Sequence, residues 1–157
     1  MKITKSRKEF INLYQMLGYL GELTGARFTY TISKNKEILK NVVEEIQKTA
    51  EMHDNYREYE KERVELNEKY TKRDKDGNPE VKDKNYVIKD KVKFEEEVEK
   101  LKEKHKEAIE EREQQRKEVE ELANKEITLD LKTIPLSIVP DKVTVDQMDV
   151  LSILIKD

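Results

Sequence analysis

Cysteine is missing from this chain, which removes any disulfide framework and any thiolate zinc site. Glycine and proline are scarce, 4 and 3 in 157 residues, so long helices are little interrupted. No apolar run approaches the roughly 20 residues needed to cross a bilayer. The basic start, residues 1–9, is not followed by the apolar stretch of a signal peptide. Charge of one sign is also lacking: 32 basic and 35 acidic residues are intermixed, leaving a net charge of −3. No broad field therefore attracts nucleic acid or an anionic membrane. Gly18, Gly21 and Gly25 neither match a dinucleotide fingerprint nor follow a strand. A soluble, cytoplasmic, cofactor-free protein is the expectation.

What the chain does contain is charge and helical rhythm. Charged residues make up 43% and hydrophobic ones 35%, a balance common in exposed helical proteins and in disordered chains alike. The apolar residues decide between the two, because they recur at helical periods. Phe94, Val98, Leu101, His105, Ala108, Arg112, Gln115, Val119 and Leu122 follow a 4-3-4-3 spacing that places one narrow stripe against a partner helix. Its polar middle makes it a weak zipper. A second helical pattern covers residues 33–72: Leu39, Val42, Ile46, Ala50, His53 and Tyr56 share a side, and Tyr59, Leu66 and Tyr70 continue it after a phase slip. Folded back antiparallel, the two stripes set Tyr70 against Phe94, Leu66 against Val98, Ile46 against Val119 and Val42 against Leu122. At 1.5 Å per residue such an arm is roughly 50 Å long. Glu44/Lys48, Glu65/Lys69, Glu96/Lys100 and similar pairs at i,i+4 read as a solvated face.

The ends differ in character. Ser6 and Glu9 form a capping box ahead of Phe10, Leu13, Tyr14, Leu17 and Leu20, the apolar face of a short helix. Phe28, Tyr30 and Ile32 either begin a strand or lead straight into the next helix. Asp76-Gly77 marks a turn between the long helices, and Val81 and Tyr86 to Ile88 have strand preference, so an ordered tip or small hairpin is expected. Ile127, Leu129 and Leu131 alternate with polar residues as a half-buried strand, whose partner lies either within the chain or on a second copy. Pro135 and Pro140 bracket an extended stretch. Thr144 and Gln147 cap a closing helix. The expected fold class is mainly α: an antiparallel helical (coiled-coil) hairpin with a small β element and terminal helices packed at its base. Residues 1–32 and 126–157 form the base, residues 33–125 the arm, and residues 73–90 its tip loop.

Little in this pattern carries chemistry. The acidic loop Asp74, Asp76, Asn78, Glu80 fails the EF-hand template, since setting Gly77 sixth puts Lys72 first and Asp83 last. His53 and His105 both fall on the stripe, but the pairing sets His105 beside Tyr59 rather than beside His53. They read as polar spacers that fix register, with Arg112 and Gln115, and Glu45 and Glu51 are candidate partners for Arg112. No nucleophile pattern accompanies them, so no catalytic, cofactor or metal residue is assigned. Lys2, Lys5, Arg7 and Lys8 make a short basic cluster at a terminus, which does not by itself define a nucleic-acid site. Met52, Tyr56, Tyr59, Tyr70 and Tyr86 are the candidate partner-binding residues, because amphipathic aromatics and methionine are enriched at interfaces. Filling the hairpin seam is their alternative use.

The segment Arg27-Phe-Thr-Tyr-Thr-Ile-Ser-Lys-Asn-Lys-Glu-Ile-Leu39, the run Tyr56-Arg-Glu-Tyr-Glu-Lys-Glu-Arg63, the turn Asp76-Gly-Asn-Pro79 and the tail Ile127-Thr-Leu-Asp-Leu-Lys132 resemble a family of small, uncharacterised phage and prophage proteins of Gram-positive bacteria. The resemblance implies a viral origin and a role inside the infected cell, with no settled activity to carry over. The order helix, hairpin, helix is similar in layout alone to prefoldin chaperone subunits, from which the strand and helix after residue 126 depart. The expected function is non-enzymatic protein binding, with inhibition of a host defence system as one such role. A homo-oligomeric structural or chaperone-like protein with projecting arms is the alternative, and a homo-oligomer is the expected assembly.

Overall fold

The computed structural model describes residues 1–155. In chain order the elements are β1 (Lys2–Ser6), α1 (Arg7–Met16), α2 (Ala26–Thr49), α3 (Asp54–Tyr70), β2 (Val81–Lys82), β3 (Asn85–Tyr86), α4 (Lys91–Lys104), α5 (Lys106–Asn124), β4 (Glu126–Asp130) and α6 (Val145–Ser152), with 3-10 turns at Leu17–Leu20 and Leu136–Ile138. The protein is mainly helical with a small β element. Two compact units divide it: Met1–Ala50 with the chain from Lys117 onward, and Glu51–Arg116. The division falls inside the stretch read above as the arm, so residues 33–50 and 117–125 count with the terminal segments.

In the first unit, the Ser6 hydroxyl oxygen accepts from the Glu9 amide, and the Glu9 carboxylate accepts from the Ser6 amide at 2.9 Å. The Ser6 hydroxyl and Lys5 donate to the same carboxylate. These donors, the Ser6 amide foremost, hold the Glu9 carboxyl down at about 2. A depressed acid stabilises the fold fully above the ordinary glutamate range and loses that contribution as pH falls toward 2. A carboxyl-carbon NMR titration is expected to place the Glu9 midpoint near 2. A midpoint at the ordinary glutamate value would mean that the capping box does not form.

The helix α2 begins at Ala26, which settles the ambiguity over Phe28, Tyr30 and Ile32 in favour of helix. Phe28, Ile32, Asn35, Leu39 and Val42 are its buried residues, spaced four, three, four, three, whereas Tyr30 faces solvent. A strand would have sent Phe28, Tyr30 and Ile32 to a single face. The core joins them to Phe10, Leu13 and Leu17, to Leu131 and Ile134, and to Val150, Leu151 and Leu154. Thr144 and Gln147 form the second capping box, as expected. Between Pro135 and Pro140 the chain is not simply extended but coils through the 3-10 turn Leu136–Ile138.

β4 finds its partner within the chain: it pairs antiparallel with β1, from Lys2 opposite Asp130 to Ser6 opposite Glu126. The strand β1 has no counterpart in the sequence reading, which saw only a basic start. Inside, Asn35 is fully buried and closes on the backbone just beyond β4. Its amide nitrogen donates to the Lys132 carbonyl at 2.9 Å, and its oxygen accepts from the Lys132 amide at 2.7 Å.

In the second unit α3 and α4 run antiparallel. Lys69 donates to Glu97, Tyr70 packs on Phe94, and Lys104 donates to Glu62, so partners descend on one helix as they ascend on the other. The helical run expected over residues 33–72 is not continuous: residues 50–53 leave the helix and α3 restarts at Asp54, close to the phase slip seen in the sequence. A second interruption occurs at His105, whose φ of −110° and ψ of 22° separate α4 from α5. Lys69 reaches across to Glu97 rather than back to Glu65, and Lys72 pairs with Glu80. The tip hairpin β2–β3 turns at Asp83 and Lys84, both with positive φ, rather than at Asp76-Gly77. Asp76-Gly77 makes a separate turn, with Gly77 at φ 83° and the Asp74 carboxylate accepting from the amides of Asp76 and Asn78.

Candidate functional site

The five candidate residues do not gather on one open face. Tyr59 is the most enclosed, 8% exposed, with its ring centroid 5.4 Å from Tyr56 and 5.6 Å from His105. The latter contact is the one the antiparallel pairing anticipated. Tyr56 is half-buried beneath the Arg112 guanidinium, 5.8 Å from the ring centre. Tyr70 is half-buried, with its ring 5.6 Å from Phe94 and its hydroxyl donating to Glu97 at 2.9 Å. Lys69 shares that carboxylate, and these two donors push Glu97 below the usual glutamate range, while the same bond pushes the Tyr70 phenol up. Met52 is half-buried in the connection before α3. Tyr86 stands apart on β3, 60% exposed.

The polar positions of the stripe are served by different partners. Gln115 donates to the Glu51 carbonyl at 2.8 Å, lies 3.4 Å from the His53 ring, and accepts from Arg112. His105 places Nε2 3.2 Å from the Glu62 carboxylate. Among the described residues no group of three or more histidine or acidic side chains is set to hold a metal ion. The acidic loop is closed on its own amides, since the Asn78 backbone foremost holds the Asp74 carboxyl below its ordinary value. In the basic start, Lys5 is engaged by Glu9, and Arg7 forks across both oxygens of Glu45.

The open apolar surface of the second unit lies at its tip. Val81 sits directly opposite Tyr86 across the β2–β3 ladder, so both side chains leave the same face, and both are exposed. Beside them Val64, Asn67, Thr71, Arg73, Pro79 and Tyr86 line a cleft of about 240 Å³. The loop that builds it is held by its own backbone: Lys72 donates to the Val87 carbonyl, Val87 to Glu80, Glu80 to Lys72, and Lys89 to Tyr70. Arg73 ties the turn by donating to the Gly77 carbonyl. Tyr86 is therefore presented on ordered backbone, which lowers the entropy lost when a partner covers it. Sequence reasoning named Tyr86 but not Val64 or Pro79. The available signal was Val64 standing alone on an otherwise charged face of α3.

No protein-family model, curated protein or solved structure matches this chain. Among the described residues no helix is long and apolar enough to cross a membrane.

Proposed function

We propose that this chain is a non-enzymatic phage-encoded protein that acts inside the host cell by binding another protein, and that the tip of the second unit is its docking surface. One observation carries the mode of action: Tyr86, Val81 and Val64 are exposed around an ordered cleft. Tyrosine is among the residue types that most often anchor a protein interface. The other tyrosines of this unit pack against His105, Arg112 and Phe94, which supports a division between seam residues and a contact residue. The viral setting is supported by the resemblance of residues 27–39, 56–63, 76–79 and 127–132 to phage proteins. Inhibition of a host defence system is one role consistent with such a binder.

A photo-crosslinking amino acid at position 86, expressed in a Gram-positive host, tests the reading. A discrete adduct with one other protein is expected, absent when the probe replaces the exposed Tyr30 of α2. Loss of that adduct on Val64→Asp would follow. Equal labelling from both positions, or no adduct, overturns the proposal. An adduct at twice the chain's own mass would replace the host partner with a second copy.

A further inference from the structure

A second surface, in the first unit, has a chemistry of its own. Met16 at the end of α1, Tyr19 in the following 3-10 turn, and Thr144, Asp146, Gln147, Asp149 and Val150 around α6 line a groove of about 550 Å³. That size falls within the range of about 300–1,000 Å³ that holds a few side chains or a small ligand. Gln147 donates to the Tyr19 carbonyl, so the two walls are joined at one point. The floor is apolar and adaptable, Met16 half-buried and Val150 buried. Tyr19 is 75% exposed, an amphipathic ring open to solvent. Asp146 and Asp149, three residues apart on one face of α6, stand on the rim, and both are exposed. Among the described residues no cation lies within ion-pair distance of either.

From this charge imbalance we infer that the groove is a docking site for a protein segment that presents an arginine or lysine beside an apolar side chain. The cation would meet two carboxylates on one side and the face of Tyr19 on the other, two attractions that act on the same group. The neighbouring apolar side chain would cover Met16 and Val150. An acidic or purely apolar segment would leave the two aspartates facing like charge or stripped of water, which costs free energy. The site shares no residue with the tip cleft, and its test stands independently of the tip reading.

The test uses a short acetylated peptide with one leucine face and one arginine face, fluorescently labelled, and its glutamate counterpart. The whole chain is titrated, with anisotropy giving the Kd and amide NMR shifts giving the location. The arginine peptide is expected to bind, to shift the amides of Tyr19, Gln147 and Val150, and to weaken as salt is added. Asp146→Asn with Asp149→Asn should raise its Kd roughly tenfold, as should Tyr19→Ser. Glu37→Gln with Glu44→Gln changes net charge equally at a distant surface and should leave the Kd unaltered. All these side chains are exposed, and circular dichroism confirms that each variant keeps its fold. Equal binding of the glutamate peptide, equal weakening by the distant pair, or shifts located away from this groove would overturn the inference.

Discussion

Asn35→Leu is expected to lower the stability of the first unit by roughly 2–4 kcal/mol, because it leaves the Lys132 amide and carbonyl without their partners. The side chain is 0% exposed and acts as a two-point replacement for a missing strand, donating to one group and accepting from the other. Leucine is close in size, so the loss comes from unpaired polar groups rather than from a cavity. For a unit of this length that is a fall in Tm of about 10–25 °C by the usual entropy of unfolding. Asn35→Asp distinguishes this account from a packing effect. A carboxylate accepts from the Lys132 amide but opposes the Lys132 carbonyl, whereas the protonated acid can satisfy both. Its native-state pKa is therefore raised above the unfolded value near 3.9. A raised acid favours the native state at low pH and loses that contribution as pH climbs through the native value. The deficit of Asn35→Asp against the parent protein should shrink as pH falls from the raised native pKa toward about 4 and stay level below that, and that of Asn35→Leu should not change. Parallel behaviour of the two variants across pH would refute the two-point bond.

Tyr59→Ala should unfold most of the second unit, at a cost of about 3 kcal/mol or more, as for other buried aromatic truncations. The reason is how little else is enclosed there. Among the described residues of that unit only Tyr59, Thr71, Ala108 and Gln115 are buried, and α4 buries none. Two helices of 17 and 14 residues gain little from propensity alone, so the packed side chain decides whether they persist. Amide hydrogen exchange should show lost protection across α3 and α4, while Tyr59→Phe keeps it. Tyr86, 60% exposed, gives the contrast: Tyr86→Ala should leave protection unchanged across α3 and α4. If Tyr59→Ala left exchange unaffected, Tyr59 would be a surface contact, as the sequence reading allowed.

These two residues also mark where sequence reasoning succeeded and where it stopped. The stripe identified Tyr59 as seam or surface without choosing, since period alone places a side chain on a face and says nothing of what covers that face. The pairing of Tyr59 with His105 and Tyr70 with Phe94 was legible, because an antiparallel pair imposes one register along its length. The gap at residues 50–53 was visible only as a phase slip between Tyr56 and Tyr59. Asn35 was invisible. An asparagine in a charged helix resembles any solvated position until its backbone partner, 97 residues away, is known.

The groove of the first unit escaped notice for a related reason. Tyr19 and Asp149 lie far apart in sequence, and neither belongs to a recognisable motif. Of the five tyrosine and methionine candidates, composition offered no way to single out Tyr86. Its exposure follows from a tip hairpin whose turn residues, Asp83 and Lys84, are not the Asp-Gly or Asn-Gly pair that announces such a turn.

By itself the amino-acid order determined the two capped helix starts and which residues share a helical face, because the interactions responsible span three or four residues. Ser6 with Glu9, Thr144 with Gln147, and the spacing of Phe28, Ile32, Leu39 and Val42 are all of this kind. Tertiary structure alone decided the union of β1 with β4, the closure of Asn35 on Lys132, and which tyrosines remain exposed. Each of those depends on two distant segments meeting. Local propensity cannot encode such a meeting, since the loss of chain entropy is recovered only when the whole core forms.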